Sequence, residues 1–286
     1  MTGELNGRRV LLTGATGGIG SVIARTLAAH GASLALVARS ERQLSALVGS
    51  LGSGGHDAFH FDVSDEDAWI RARSRIAPEG LLHGAVTAAA LLEPVGPVGT
   101  WSTADFRRTL DVNVVGTLLA VSTMLGPLTS SRGSIVTFSG GGATGPFPRF
   151  DAYAASKAAV VRLTENLASE LKQAGVRANS VAPGFVVSRM HETTLTAGST
   201  LVGDDYFERT RRTIEEGRGD PPELAGELVA YLLSDRSTGI SGKLLSARWD
   251  PWRDPAFQRR LVAEPDLATL RRIDDQFFVS RADARA

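Results

Sequence analysis

Tyr153 and Lys157 stand four residues apart in Tyr153-Ala154-Ala155-Ser156-Lys157. On a helix that spacing places a phenol and an ammonium on one face, one turn apart. An ammonium beside a phenol favours the phenolate, so the pair predicts a Tyr153 pKa drawn below the usual value of about 10, into a range useful for proton transfer. The same spacing also occurs in ordinary surface pairs. A second cluster lies upstream, in Thr13-Gly14-Ala15-Thr16-Gly17-Gly18-Ile19-Gly20. It follows the apolar run Val10-Leu11-Leu12 and opens directly into a helical pattern. Glycines there permit a tight turn and let backbone N–H groups approach a pyrophosphate at the positive end of a helix. The spacing is G-x3-G-x-G, not the commoner G-x-G-x-x-G, and a plain strand-to-helix turn is the alternative.

Two further positions bear on a nucleotide. The second strand ends Val37-Ala38-Arg39-Ser40. A carboxylate there would bind ribose hydroxyls, whereas an Arg pairs with a 2′-phosphate, so Arg39 favours NADP over NAD; the alternative is a solvated Arg at a strand end. Asp62-Val63 closes the third strand, where Asp62 suits an adenine amino group or, equally, the cap of a helix starting near Ser64.

These residues need elements to hold them. Apolar runs and helical periodicity alternate along the chain: strands at Val10–Leu12, Ser33–Ala38, His56–Phe61 and Leu82–Ala88, with helices at about Ile19–Ala29 and Glu41–Val48 and a loop at Gly49–Gly55. A helix from about Asp105 to Leu125, a strand Ser134–Phe138, a helix Tyr153–Ala174, a strand Arg177–Ala182, a helix Pro222–Leu233 and a strand Lys243–Ala247 follow. This alternation predicts an α/β fold with one mostly parallel, doubly wound sheet. Residues 1–250 read as a single domain, interrupted by a polar stretch at about 188–219 that predicts a substrate lid. Residues 251–286 read as a C-terminal extension, with an amphipathic segment around Pro265–Phe278.

Composition narrows the classes. The chain has 286 residues, 31 basic against 31 acidic side chains, and 43% hydrophobic residues. Zero net charge argues against a nucleic-acid or anionic-membrane partner. No cysteine means no disulfide, thiol nucleophile or Cys-ligated metal, and the five histidines show no metal-binding spacing. Neither a signal peptide nor a run of the ~20 apolar residues that span a bilayer is present, which predicts a soluble, cytoplasmic protein.

Over residues 5–247 the chain resembles the short-chain dehydrogenase/reductase family, in the glycine turn Thr13–Gly20, Asp62-Val63, Asn113, Tyr153–Lys157 and Asn179-Ser-Val-Ala-Pro-Gly184. The resemblance implies a Rossmann-like fold and an NAD(P)-dependent enzyme interconverting a secondary alcohol and a ketone. It implies Tyr153 as general acid/base, Lys157 lowering its pKa and holding the nicotinamide ribose, and Asn113 in a proton relay; Asn113 also reads as a polar residue satisfied in a helix kink. The implied cofactor contacts are Gly14, Thr16, Gly18, Ile19, Gly20, Arg39, Ser40, Asp62, Val63, Ala89, Tyr153, Lys157, Pro183, Gly184, Val186 and Ser188. NADP(H) is favoured and NAD(H) remains open. Relatives of this kind form homodimers or homotetramers.

The chain departs from the family pattern at several points. Counting back thirteen residues from Tyr153, where the family carries its catalytic Ser, reaches Gly140. Ser139 is one position early, and a one-residue shift along a strand turns a side chain to the other face. Either Ser139 swings in through a bulge, or backbone N–H groups of Gly140–Gly142 polarise the carbonyl. The family's Asn-Asn-Ala-Gly appears as Thr87-Ala88-Ala89-Ala90, and its common basic residue in the turn falls at Gly17. Gly140, Gly141, Tyr153 and His191 are the candidate substrate contacts. The lid's threonines predict a polar substrate such as a sugar, cyclitol or nucleoside derivative. The alternative readings are a catalytically impaired NAD(P)-binding regulatory protein, or an NAD-dependent alcohol dehydrogenase of the same fold.

Overall fold

The computed structural model describes residues 3–272. Its sheet comprises β1 (Arg9–Thr13), β2 (Ser33–Ala38), β3 (Asp57–His60), β4 (Gly84–Thr87), β5 (Ser134–Phe138), β6 (Arg177–Ala182) and β7 (Leu244–Ser246). Every neighbouring pair is parallel, and the spatial order is β3-β2-β1-β4-β5-β6-β7. The order reverses between β1 and β4, so the loops leaving those two strands diverge and open a crevice at their carboxyl ends.

Helices cover both faces, which explains why the central strands read as unbroken apolar runs. On one face Val10, Leu12, Leu34 and Leu36 pack with Ile23 and Leu27 of α1 (Gly18–Ala29), and with Leu228 and Leu232 of the later helix Pro222–Leu233. On the other, Leu11, Ala35 and Val37 meet Trp69 and Ile76 of the helix Glu66–Ile76, together with Val121 and Met124. The helix after β2, α2 (Glu41–Ser50), is capped by the Ser40 hydroxyl. The helix Glu66–Ile76, here α3, is capped by Asp65, so Asp62 is not its cap.

The single helix expected from Asp105 to Leu125 is instead α4 (Thr103–Leu110), a π-helical turn (Asp111–Val115) and α5 (Gly116–Thr123), with α6 (Leu125–Ser131) set off by a break at Met124. α4 starts two residues earlier than expected because Ser102 and Asp105 form a reciprocal capping box. Between β5 and β6 runs α7 (Asp151–Glu170), closed by a short 3-10 turn, Lys172–Ala174.

The predicted lid folds as α8 (Arg189–Ala197), α9 (Ser199–Val202) and α10 (Asp204–Glu215), hinged at Gly198 and Gly203, both at positive φ. The helix Pro222–Leu233 is α11, and the extension adds α12 (Pro255–Ala263), whose Phe257 and Leu261 join the first core. Trp252 packs against Tyr231 with the rings tilted and 5.7 Å apart, while Trp249 is exposed. The buried Lys243 donates from Nζ to the carbonyls of Glu264, Pro265 and Leu267, and Leu244 N–H donates to Ala268 O at 2.7 Å. Of the amphipathic segment expected at Pro265–Phe278, Leu267 and Ala268 pack on the core; residues 273–278 lie outside the described residues. Among the described residues no single helix is long and apolar enough to cross a membrane.

Candidate active site

The glycine turn fixes the first wall. Gly14 takes φ +66°, and a Cβ there would meet the backbone of Ala88 and Ala89 at 2.6–2.8 Å. A Cβ on Gly20 would run into the Gly14 carbonyl, a contact with backbone that cannot move aside. Each glycine is therefore demanded by a backbone crossing. Around this turn opens a cavity of about 570 Å³, lined by Gly14 and Thr16–Gly20, by Ala38–Ser40 after β2, by Phe61–Val63 after β3 and by Ala88–Glu93 after β4. Ser188, Met190 and Thr193 close it from the lid. Ser188 sits directly over the turn, 3.1 Å from where a Gly18 Cβ would lie.

This cavity suits a dinucleotide. The α1 N-terminus has no side-chain cap, so its first N–H groups face the opening. Arg39 lies exposed on the rim and makes no ion pair among the described residues. Asp62 also lines the wall, but its carboxylate is engaged: Oδ1 accepts from Ser64 N–H (3.0 Å) and Oγ (2.8 Å), and Oδ2 pairs with Arg108. Burial acts to raise its pKa, but the bonds from Ser64 and Arg108 outweigh it and hold the carboxyl below its ordinary value. Pro183, Gly184 and Val186 are not on this wall. Gly184, at φ +88°, abuts Asp220, which accepts from Phe185 N–H at 2.7 Å and staples the loop.

Tyr153 and Lys157 are both buried on α7. The Lys157 ammonium donates to Phe138 O at 2.9 Å and stands 5.5 Å from the Tyr153 ring centroid. The expected lowering of the Tyr153 pKa is reversed: burial, reinforced by the Tyr206 phenol, pushes it above its ordinary value. Burial also lowers Lys157 from 10.5 to about 8. Desolvation acts on both groups and overrides their mutual attraction. Asn113 lies in the π turn, its Oδ1 accepting from Leu91 N–H (2.7 Å) and its Nδ2 donating to Leu91 O (2.9 Å) and Ser156 Oγ (2.8 Å). Ser156 Oγ donates in turn to Tyr153 O. The Asn113 side chain thus ties the segment after β4 to α7.

At position 140 a Cβ would collide with the Tyr153 hydroxyl, so Gly140, and not Ser139, faces the phenol. The phenol occupies the room a residue-140 side chain would need. Gly141 lies against the Phe147 ring. Ser139 is buried at the end of β5, and its N–H donates to Val181 O.

The lid's polar look in sequence gives way to an aromatic interior. Leu92, Phe150, Tyr153 and Val202 form a buried cluster, joined by Val95, Phe147, Met190, Ala197, Tyr206 and Phe207. Phe147 and Phe150 stack at 4.3 Å, and Tyr206 meets both edge-on at 5.1 and 5.0 Å. The hydroxyl of Thr194 is spent on Met190 O within α8, and Thr196 is exposed. Arg211 pairs with Glu208 and Glu215 on the surface of α10. His191 leans on Phe185 at 4.1 Å and approaches Ser188, outside the cluster around Tyr153; burial lowers its pKa. Leu92 and Met190 belong both to this cluster and to the cavity wall, so they partition Tyr153 from the cavity. The sequence reading missed Phe147 and Phe150. Their spacing of three from each other and from Tyr153 was the available signal. Arg149, between them in sequence and at φ +72°, donates to Thr200 O at 2.8 Å and pins α9. No group of three or more potential metal ligands exists among the described residues.

A family model described as enoyl-(acyl carrier protein) reductase matches residues 14–247. The oxidoreductase UcpA of Salmonella typhimurium is 34% identical, over 84% of this chain and 92% of its own length. A 3-beta-hydroxysteroid dehydrogenase of Comamonas testosteroni is 29% identical over 86% of this chain and 96% of its own. Among solved structures, an NAD+-bound xylitol dehydrogenase superposes with a TM-score of 0.76 at 26% identity, covering 85% of this chain and 98% of that one. The seven-stranded parallel sheet, the glycine turn at its switch point and these matches agree: the chain belongs to the short-chain dehydrogenase/reductase family, as an oxidoreductase acting on alcohols and ketones.

Proposed function

We propose that this protein is an NADP(H)-dependent oxidoreductase that reduces a ketone to a secondary alcohol, with Tyr153 delivering the proton. The observation that carries the reading is the Tyr153 phenol, buried one helical turn from Lys157 and facing Gly140, in a cluster that shares Leu92 and Met190 with the wall of the switch-point cavity. At neutral pH the Tyr153 phenol carries its proton, and the Lys157 ammonium on the same helix face would stabilise the charge left when that proton passes to a carbonyl oxygen. When bound beside the glycine turn, a nicotinamide cofactor would supply the hydride that the carbonyl carbon accepts. Tyr153 Oη gives its proton to the carbonyl oxygen, and Lys157 steadies the resulting phenolate from the same helix face. Arg39, which makes no ion pair among the described residues, supports the phosphorylated cofactor, and Ala, not an acid, occupies position 38.

The cluster around Tyr153 supports a substrate whose carbonyl is flanked by apolar groups, in place of the polar substrate expected from the lid's threonines. Titration of the purified protein with NADPH and NADH, followed by fluorescence, tests the cofactor. Tight NADPH and weak NADH binding is expected, and the reverse preference overturns the role given to Arg39. Gly140 supports a second reading, a cofactor-binding regulatory protein without turnover. Carbonyl reduction by the wild-type chain that vanishes in Tyr153→Phe rejects it.

A further inference from the structure

The family's hydroxyl at position 140 is missing, yet a carbonyl placed beside Tyr153 needs a second donor to hold its oxygen as charge develops there. We propose that Tyr206, carried by the lid helix α10, supplies that donor: its phenol hydrogen-bonds the substrate carbonyl oxygen opposite Tyr153. This assignment rests on the ketone-reductase reading above.

Three observations place Tyr206 for the task. Its ring packs edge-on against Phe147 and Phe150 at 5.1 and 5.0 Å, in the same cluster that buries Tyr153. Phe147 in turn lies on Gly141, whose neighbour Gly140 faces the Tyr153 hydroxyl, so the Phe147 ring links Tyr206 to the glycine shelf that Tyr153 borders. The Tyr206 phenol also acts electrostatically on Tyr153, opposing its ionisation, which requires the two groups to be near one another. Burial raises the Tyr206 pKa against the opposing pull of a hydrogen bond with Thr210, one turn along α10, and of the Arg209 guanidinium, 5.2 Å over its ring; a substrate carbonyl would accept the phenol's hydrogen bond in place of Thr210. The rival donor, Ser139, precedes the residue that meets Tyr153 and lies on the other side of the alternation.

The assignment has a steric logic. At position 140 any side chain would overlap the Tyr153 hydroxyl where it now stands. A donor brought by the lid instead arrives only when the lid is closed, so polarisation of the carbonyl is coupled to exclusion of water. Tyr206 keeps its proton throughout: the hydride goes to the carbonyl carbon, Tyr153 yields the proton, and Tyr206 contributes one hydrogen bond that strengthens as the oxygen gains charge.

The test compares Tyr206→Phe, Ser139→Ala and Tyr153→Phe in NADPH-dependent reduction of trans-1-decalone and cyclohexanone, with NADPH affinity and thermal midpoint measured for each. Tyr206→Phe preserves the ring and its packing. It should lower kcat by about a hundredfold while leaving KM, NADPH affinity and the midpoint unchanged, with Ser139→Ala near wild type. Loss of kcat in Ser139→Ala, with Tyr206→Phe within threefold of wild type, overturns the proposal, as does wild-type turnover in both variants. If the wild-type chain binds NADPH but reduces neither ketone, or if Tyr153→Phe stays active, the ketone-reductase reading itself fails and this assignment falls with it.

Discussion

The two halves of the cleft are made differently. On the cofactor side, from the glycine turn across β1 to β4, the walls are backbone: Gly14 crosses Ala88–Ala89, Gly20 crosses the Gly14 carbonyl, and Thr13 Oγ1 accepts from Ala89 N–H at 3.3 Å. On the catalytic side, from β5 through α7 and the lid, the walls are side chains. There a stacked pair of phenylalanines, two tyrosines and a buried lysine occupy the space, and the backbone contributes mainly the bare shelf Gly140–Gly142. Backbone walls tolerate no substitution but hold their shape unaided. Side-chain walls accept change, and their chemistry depends on how much water they exclude.

That contrast can be broken from either side. The largest effect belongs to Tyr153→Phe, which leaves the ring in its cluster and should cost about a thousandfold in turnover with NADPH affinity intact; wild-type turnover would remove Tyr153 from the chemistry. Next comes Gly20→Ala. The added Cβ meets the Gly14 carbonyl, so the variant should lose about 3 kcal/mol of stability and its NADPH binding together, read by denaturant unfolding and titration. An unchanged unfolding midpoint would show the backbone wall to be less rigid than its geometry implies.

Lys157→Met runs the opposite way. Holding a buried ammonium whose pKa has dropped from 10.5 to about 8 costs the folded state about 3 kcal/mol at neutral pH. The bond left unmade at Phe138 O returns about 1 kcal/mol of that, so the variant should be more stable by about 2 kcal/mol and inactive. The sign fixes the pH window. The folded pKa is the lower one, so the cost is full below about pH 8, shrinks as pH rises toward 10.5 and is gone above it. Unfolding of both proteins at pH 7 and pH 10 should show the gap closing; a constant gap would assign it to packing. The smallest effect is that of Arg39→Ala, which should weaken NADPH about tenfold and leave NADH unchanged in the fluorescence titration.

The same contrast governs what was legible in the sequence. Backbone requirements leave a mark that local reading recovers: β2, β5, β6 and α11 lie where the apolar runs and caps put them, and the glycine turn could be placed to the residue. The kink at Asn113 was one of the two readings of that residue, but its π geometry was not legible, because the extra residue at Asp111–Val115 is tied down by Asn113 bonding to Leu91, 22 positions away. The pKa of Tyr153 was misread for a related reason. Helical spacing shows that an ammonium is near, but not that Phe150, Leu92 and Val202 seal the pair from water, and desolvation decides the shift. The lid's aromatic interior was not legible because the fold turns Tyr206 and Phe207 inward onto Phe147 and Phe150, while Thr194 bonds its own helix and Thr193 faces the cavity. Ser139 and Gly140 illustrate the limit in one step: counting identifies the position, and only the fold shows that a phenol already fills it.

The Lys243 ammonium, ringed by three carbonyls, does for the end of the chain what a bound cation does in a crown ether. It gathers backbone oxygens that would otherwise point into water and freezes a bend between α12 and the stretch beyond it. That stretch then lays Ala268 against β7 and brings Leu270 and Arg271 to Glu165 of α7. The outermost strand is thereby denied to a stray strand from another molecule. Shortening the chain at residue 263 would strip away that guard, and the first symptom expected is clumping at high concentration, ahead of any loss of catalysis.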